Sequence, residues 1–301
     1  MAERARGIVT EDPLSSVPVG GKIGFQPFFF PLTDAATKTP QSVNNWDIFE
    51  GTILAVSGRS SEGTTVFGTA VVIAPGLAVT AAHLFNEAER ELMAKGELVP
   101  FCTGITGSGL DFWLIRSFTS APDSDVAFVT IEMRSELAPA RRLRKAVITT
   151  RQPFVGEVLT LVGFRIEAAN SAEFHGHVYV AAGEVEEVFP HGVAASRPTP
   201  VVQVDCGTLG RMSGGAAFDS EGFLIGIISS GIDPANGPPA SFVALLVAAL
   251  NREVSISWPP NLYEQPIHLL HIHEQALHIE GRDKIAIVDA NTYVYTPWSR
   301  R

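Results

Sequence analysis

Short runs of apolar, mostly β-branched residues, separated by glycine and proline, dominate the chain from residue 48 onward. Runs of this length with turn residues on both sides are typical of β-strands. The 27 glycines and 20 prolines are enough to end every run in a turn. The strands predicted in this way lie at 53–56, 66–73, 77–80, 112–115, 126–131, 158–162, 177–181, 201–204, 217–219 and 224–228. The pattern therefore predicts an all-β protein.

One helix is predicted inside this β pattern. Asn86 is a good N-cap residue, and Glu89 stands three positions later, which is the spacing of a capping box. The sequence therefore predicts a helix over 87–95, and its many charges place it at the surface.

Composition and charge exclude several classes of protein. Of the 301 residues, 46% are hydrophobic and 18% are charged, which is typical of a folded globular chain. The net charge is −10 and there is no basic stripe, so we expect no nucleic-acid partner. The longest apolar run, 242–250, is too short to cross a bilayer.

The two cysteines, Cys102 and Cys206, are few for an extracellular protein of a disulfide-rich kind. No apolar stretch of signal-peptide length follows Met1. We therefore expect a cytoplasmic protein with no membrane contact.

Three short segments carry residues that suit acyl transfer: 80–83 (TAAH), 125–127 (DVA) and 213–215 (SGG). A serine nucleophile needs a base to take its proton, and the base needs a carboxylate that fixes its tautomer. Small residues beside the serine let backbone N–H groups face a developing oxyanion. Each segment alone is more often a packing histidine, a turn aspartate or a glycine loop. Together they predict a triad of His83, Asp125 and Ser213.

These segments resemble the motifs of the trypsin/chymotrypsin-like serine peptidases, in particular the disulfide-poor bacterial members, over residues 48–252. The resemblance implies two six-stranded Greek-key β-barrels and hydrolysis of polypeptide substrates without a cofactor or metal. It implies that His83 acts as general base and then as general acid, that Asp125 orients it, and that Ser213 is acylated. It also implies that Ser229 bonds to Asp125, and that the stretch through Ser230 and Gly231 pairs with extended substrate.

The chain departs from the family pattern beside the nucleophile. The resemblance places the oxyanion hole at the backbone N–H groups of Arg211 and Ser213, but most relatives have glycine at the first position. Three interpretations stay open. Arg211 adopts the glycine-like conformation, or the hole is collapsed at rest and opens on activation, or the chain is a catalytically impaired protease-like binding module.

The side-chain preference follows from small residues around the expected specificity pocket. Gly207, Thr208, Ser230 and Gly231 favour a small or apolar side chain before the scissile bond. Preference for Lys or Arg through Asp205 is the alternative.

The histidines of the C-terminal tail have no ligand spacing that predicts a metal site, so packing or surface roles are expected, with a metal-dependent hydrolase as the alternative. They are His268, His271, His273 and His278.

We predict five segments along the chain. Residues 1–45 form an extended arm, 46–135 the first barrel, 136–152 a linker, and 153–254 the second barrel with a closing helix over 242–252. Residues 255–301 form a β appendage, which either pairs with the arm or docks a regulatory partner.

Overall fold

The computed structural model describes residues 6–11, 22–31, 37–45, 48–106, 109–121, 124–135, 142–169, 174–192, 200–232, 239–289 and 292–298. Within these ranges the chain is mostly β-strand and contains one short α-helix. None of the helices in the described part is long and apolar enough to span a membrane.

The N-terminal arm supplies three strands: β1 (Ile8–Glu11), β2 (Lys22–Phe28) and β3 (Gln41–Ser42). Strands β1 and β2 form an antiparallel hairpin. Ile23 and Phe25 of β2, two positions apart, are buried because alternate side chains of the strand face the body of the protein, and Phe28 at the end of the strand is buried as well.

The first barrel is built from six antiparallel strands that close in the order β4-β5-β6-β9-β8-β7. Its strands are β4 (Ile53–Ser60), β5 (Gly63–Ala74), β6 (Leu77–Ala81), β7 (Val99–Thr106), β8 (Gly109–Ser120) and β9 (Val126–Met133). Helix α1 (Glu87–Ala94) connects β6 to β7, and Asn86 and Glu89 form the predicted capping box. The helix buries no residue, so its caps carry much of its stability.

The linker contains β10 (Arg142–Ala146) and β11 (Ile148–Thr149). Although the segment is rich in arginine, β10 pairs in parallel with β2 of the arm. Lys145, the next-to-last residue of this strand, is fully buried.

The second barrel is also a closed ring of six antiparallel strands, in the order β15-β12-β13-β14-β17-β16, with β16 pairing back to β15. Its strands are β12 (Val158–Ala169), β13 (Phe174–Phe189), β14 (Val201–Val204), β15 (Ala216–Phe218), β16 (Leu224–Ile232) and β17 (Ala240–Leu245). The arm strand β3 pairs antiparallel with β13 at Tyr179 and Val180. The two-barrel prediction is confirmed.

The closing helix predicted over 242–252 is wrong. Residues 242–245 belong to β17, and only a single 3-10 turn, Leu246–Ala248, follows. An apolar run of this length fits a buried strand as well as a buried helix. Here β14 and β16 both pair with it, so a strand is needed to close the barrel.

The C-terminal tail forms β18 (Glu253–Val254), β19 (Ile267–His268), β20 (Ile279–Glu280), β21 (Ile285–Ile287) and β22 (Tyr293–Tyr295). β18 pairs with β19, and β21 with β22. β20 pairs in parallel with the linker strand β11, which also pairs with β16. In the described chain a strand of the tail therefore pairs with the linker, and no strand of the tail pairs with a strand of the arm there; docking of a regulatory partner stays a prediction.

Candidate active site

Asp125 stands at the entrance to β9, next to the single turn that carries His83. The carbonyl of Asp125 accepts the N–H of Ala82 at 2.9 Å, which holds the two segments together. Its side-chain Oδ1 accepts the N–H of His83 at 3.0 Å, and Oδ2 lies 2.7 Å from Nδ1 of the His83 ring. The carboxylate is 6% exposed, whereas the imidazole is 49% exposed. The acid is therefore buried behind a base that reaches solvent.

These contacts fix the tautomer of His83. An ionised carboxylate only accepts hydrogen bonds, so the Nδ1 atom that faces Asp125 carries the proton. In the neutral ring, Nε2 then keeps its lone pair and can accept a proton from a nucleophile. This is the arrangement that a general base requires.

Ser229 reaches Asp125 from the second barrel. Its hydroxyl donates to Oδ2 of Asp125 at 2.6 Å. The pairing of β16 with β17 shifts register between Ile228 and Ser230, so Ser229 lies in a β-bulge. Bulges redirect a side chain out of the ordinary alternation. The bulge therefore accounts for a buried serine that points at a carboxylate of the other barrel.

Ser213 lies against the residues that flank His83. A Cβ on Gly214 would lie 2.3 Å from Oγ1 of Thr80 and 3.0 Å from the nitrogen of Ala81, both just before His83. A Cβ on Gly68 would contact both the carbonyl of Ser213 and the side chain of Leu84, which follows His83. The two glycines thus permit a close approach that other residues would block. The hydroxyl of Ser213 makes no hydrogen bond to a residue in the described ranges.

Arg211 adopts the left-handed conformation that glycine usually provides. Its φ is +77°, and the N–H of Met212 donates to the carbonyl of Leu209 at 3.2 Å. A β-turn with positive φ at its third residue and not at its second is of type II. The Arg211 guanidinium donates to the carbonyl of Val66 in β5, which holds the side chain in place.

Two backbone N–H groups are available beside Ser213, the candidate nucleophile. Among the described residues, neither the N–H of Arg211 nor that of Ser213 has an acceptor, although those of Met212, Gly214 and Gly215 do. Amide groups left open next to a serine are what an oxyanion hole needs.

The expected specificity pocket is small. A Cβ on Gly231 would lie 1.9 Å from Oγ1 of Thr208, so the threonine side chain lies directly against this glycine. Oγ of Ser241 is 3.3 Å from the same Thr208 hydroxyl and donates to the carbonyl of Cys206. Gly207 is buried, and its N–H donates to the carbonyl of Lys38 in the arm at 2.8 Å.

Asp205 is engaged outside this pocket. Its Oδ2 accepts from the ammonium group of Lys38, and its Oδ1 accepts the N–H of Glu184 in β13 at 2.7 Å. Both oxygens are therefore occupied by the arm and by the neighbouring strand, which disfavours a role in binding a basic substrate side chain.

Thr69 is the residue at this site that the sequence did not reveal. It lies fully buried in β5, and its main chain and hydroxyl contact both the segment of residues 211–213 and β12. A threonine inside a β-branched strand carries no signal in the sequence, because the same pattern fits any packed strand.

The tail histidines lie away from these contacts. Nε2 of His268 is 2.8 Å from Oδ1 of Asn251, and its ring centroid is 5.1 Å from that of His271. Burial, with the charge of His271, lowers the pKa of His268. Within the described ranges no three His, Cys, Asp or Glu residues form a group that could hold a metal ion.

Several solved protease structures are similar to the chain at low identity. The HtrA-type protease AlgW with a tripeptide is 17% identical over 67% of this chain and 58% of its own, with a TM-score of 0.45, so the chain spans less than two thirds of it. The MamO protease domain from Magnetospirillum magneticum is 16% identical over 66% and 93%, with a TM-score of 0.44. Deg5 is 20% identical over 65% and 84%, with a TM-score of 0.45.

No curated protein matches the chain by sequence. Residues 68–227, which include His83, Asp125 and Ser213, match the family described as trypsin-like peptidase domain. This region is more than half of the 301 residues. By this match, the chain belongs to the trypsin-like peptidase family.

Proposed function

We propose that the protein is a serine endopeptidase that hydrolyses peptide bonds through an acyl-enzyme on Ser213. One observation carries the proposal. The buried carboxylate of Asp125 is hydrogen-bonded to Nδ1 of His83 and to the hydroxyl of Ser229. Gly214, the residue after Ser213, lies against the residues that precede His83.

In the acylation step, Nε2 of His83 takes the hydroxyl proton of Ser213 while Oγ attacks the substrate carbonyl carbon. The carbonyl oxygen becomes an oxyanion and accepts hydrogen bonds from the N–H groups of Arg211 and Ser213. The protonated His83 then gives its proton to the leaving amine, and the C–N bond breaks. In deacylation, His83 takes a proton from a water molecule while the water oxygen attacks the ester carbonyl carbon. The bond from that carbon to Oγ of Ser213 then breaks, the carboxylic acid product leaves, and His83 returns the proton to Ser213. Asp125 stays ionised and stabilises the charged imidazole throughout.

Extended polypeptide is the substrate class that suits this surface. The ladder between β15 and β16 ends at the pair Ala216 and Ile227, whereas β16 continues to Ile232 with β17 on its other side. A substrate strand added beside Ser229 and Gly231 would continue the sheet toward Ser213. Because the Thr208 side chain lies against Gly231, the pocket suits a small side chain before the scissile bond.

A second proposal, a protease-like binding module, is favoured by one observation. In the described part of the chain, the Ser213 hydroxyl has no hydrogen bond to the imidazole of His83. The serine–histidine bond of a serine protease is often long before substrate binds, so its absence is compatible with an active enzyme as well.

A fluorophosphonate probe distinguishes the two proposals, because it reacts with activated serines. We expect wild-type protein to be labelled at Ser213 by mass spectrometry, and both S213A and H83A to be unlabelled. S60A, which removes a serine from the hairpin between β4 and β5, is the matched control and should label like wild type. Folded wild-type protein that stays unlabelled, with and without added peptides, would favour the binding module.

A further inference from the structure

Arg211 carries a guanidinium group two positions before Ser213, the candidate nucleophile. The side chain is exposed, and its Nη1 donates to the carbonyl of Val66 in β5. An arginine has a permanent positive charge and five N–H donors. Within the described ranges, the other donors of this group have no acceptor and the charge forms no ion pair. The guanidinium is therefore held at one point and remains open to a ligand.

The peptide group that joins Ser213 to Gly214 lies between strands of the two barrels. Its carbonyl accepts the N–H of Thr69 in β5 at 2.8 Å, and its N–H donates to the carbonyl of Ile228 in β16 at 2.7 Å. The peptide is trans, so its carbonyl and its N–H point in opposite directions. Strand β5 therefore lies on one side of the candidate nucleophile and β16 on the other.

The two halves of a substrate meet different strands for this reason. The proposed function pairs the acyl half, which stays on Ser213 after the first step, with β16 beside Ser229 and Gly231. An extended chain that continues past the scissile bond then runs away from β16 and toward β5. The guanidinium of Arg211 lies on the β5 side, because it binds the carbonyl of Val66. It therefore lies along the half of the substrate that ends in the leaving amine.

The place of this cation limits which substrate residues it can bind. The N–H of Arg211 is assigned to the oxyanion, so its side chain starts next to the scissile carbonyl. An extended chain advances about 3.3 Å per residue, and one side chain therefore reaches only the first residues after the scissile bond. The net charge of −10 disfavours acidic peptides in general, so a local cation is needed to bind one.

We propose that Arg211 is a specificity-determining residue that binds the carboxylate of an acidic substrate side chain, one or two positions after the scissile bond. A guanidinium suits this task because it can donate two parallel N–H bonds to one carboxylate. The inference rests on the proposed function, since only a cleaved substrate has a leaving half. It names acidic polypeptide segments as the class preferred on that side.

The first test compares two fluorescence-quenched peptides that have alanines before the bond to be cut and either Glu-Glu or Gln-Gln after it. We expect wild type to cleave the glutamate peptide with a kcat/KM about fivefold higher, the size of effect that an exposed ion pair supports. The ratio should fall to about one in R211Q and stay above one in R211K, which keeps the charge. Each ratio is taken within one protein, so an altered N–H at residue 211 affects both peptides and cancels.

Salt and a second cation give the controls. In about 1 M NaCl the Debye length is about 3 Å, so the wild-type ratio should fall toward one. K95Q removes the exposed ammonium group of Lys95 at the end of α1, and we expect it to keep the wild-type ratio. A general effect of net charge would instead lower the ratio in K95Q as much as in R211Q.

Binding to S213A gives a readout that does not require catalysis. Fluorescence anisotropy of the same two peptides, labelled with fluorescein, should show about fivefold tighter binding of the glutamate peptide, and S213A/R211Q should lose this difference. If wild type is neither labelled by the fluorophosphonate nor cleaves either peptide, while S213A keeps the preference that depends on Arg211, the proposed catalysis fails and the role of Arg211 in peptide binding stands. A preference that is absent from both experiments, or that survives R211Q, overturns the inference.

Discussion

The strongest stability prediction concerns Lys145, a cation in the interior of the protein. Its side chain is fully buried in β10, and Nζ has no hydrogen-bond partner among the described residues. Burial lowers the pKa of this amine from 10.5 to about 8. The nearby charge also affects His278, whose pKa is lowered by burial first and by Lys145 in addition, against the opposing effect of Glu274 and Glu280.

The sign of the pH dependence follows from the two pKa values. Below about pH 8 the amine is charged in both states, so folding bears the whole cost of burying the charge. Between about 8 and 10.5 the folded amine is neutral while the unfolded one is protonated, so stability rises with pH. The interval between these values corresponds to about 3 kcal/mol at full titration.

We therefore expect K145M to be more stable than wild type by as much as about 3 kcal/mol at about pH 7, because methionine fills the same space without a charge. The advantage should shrink by about 2 kcal/mol at about pH 9.5, where wild type has regained most of its loss. Urea unfolding followed by tryptophan fluorescence at both pH values measures the difference.

The difference in unfolding free energy between wild type and K145M, rather than the pH dependence of either protein alone, isolates the effect of Lys145. Burial raises the pKa of the Cys206 thiol to about 12 and also raises that of Cys102. The unfolded thiols ionise at lower pH, so both cysteines reduce stability as pH rises, in wild type and variant alike. The exposed Lys95 supplies the control K95M. A K145M less stable than wild type at neutral pH, or a gap independent of pH, would refute the reasoning.

Two further predictions concern helix α1 and the nucleophile loop. N86A should remove the capping box with Glu89 and weaken α1 by about 1 kcal/mol. Because α1 buries no residue, we expect about fivefold faster amide exchange in the helix and an unchanged midpoint of global unfolding. Slower folding of the whole chain would contradict this local effect. G214A should cost about 3 kcal/mol or more in thermal or urea unfolding, because its Cβ would lie 2.1 Å from the carbonyl of Thr69 at φ +83°. G210A is the matched control, with nothing within 4 Å of its Cβ, and should stay within about 1 kcal/mol of wild type.

Local patterns predicted the parts of the fold that depend on local physics. The cap at Asn86 and the β-branched runs were read correctly, because capping and alternation are set by neighbours in sequence. Strand β7 (Val99–Thr106) was missed, since Pro100 and Gly104 interrupt it. Gly104 has a role only in three dimensions: a Cβ there would lie 2.5 Å from the side chain of Leu54.

Local sequence patterns could not predict the contacts between the barrels. The contact of His83 with Asp125 followed from residue types and their order, with the family as guide. The bulge that aims Ser229 depends on the register of β16 against β17, and the bonds of Thr69 depend on how the barrels meet. Residue type alone does not specify either of these.

The candidate site lies where the two barrels meet, and the arm and the tail both pair with the linker between the barrels. His83 and Asp125 belong to the first barrel, whereas Ser213 and Ser229 belong to the second. The linker between the barrels is not a free connection, because β10 pairs with β2 of the arm, while β11 pairs with β16 and with β20 of the tail. A linker held on both sides limits how far one barrel can move against the other. Because the bond from Ser229 to Asp125 is 2.6 Å and that from Thr69 to Arg211 is 3.0 Å, a displacement of 1 Å would break either of them. We therefore expect residues outside the two barrels to restrain the way the barrels meet at the candidate site.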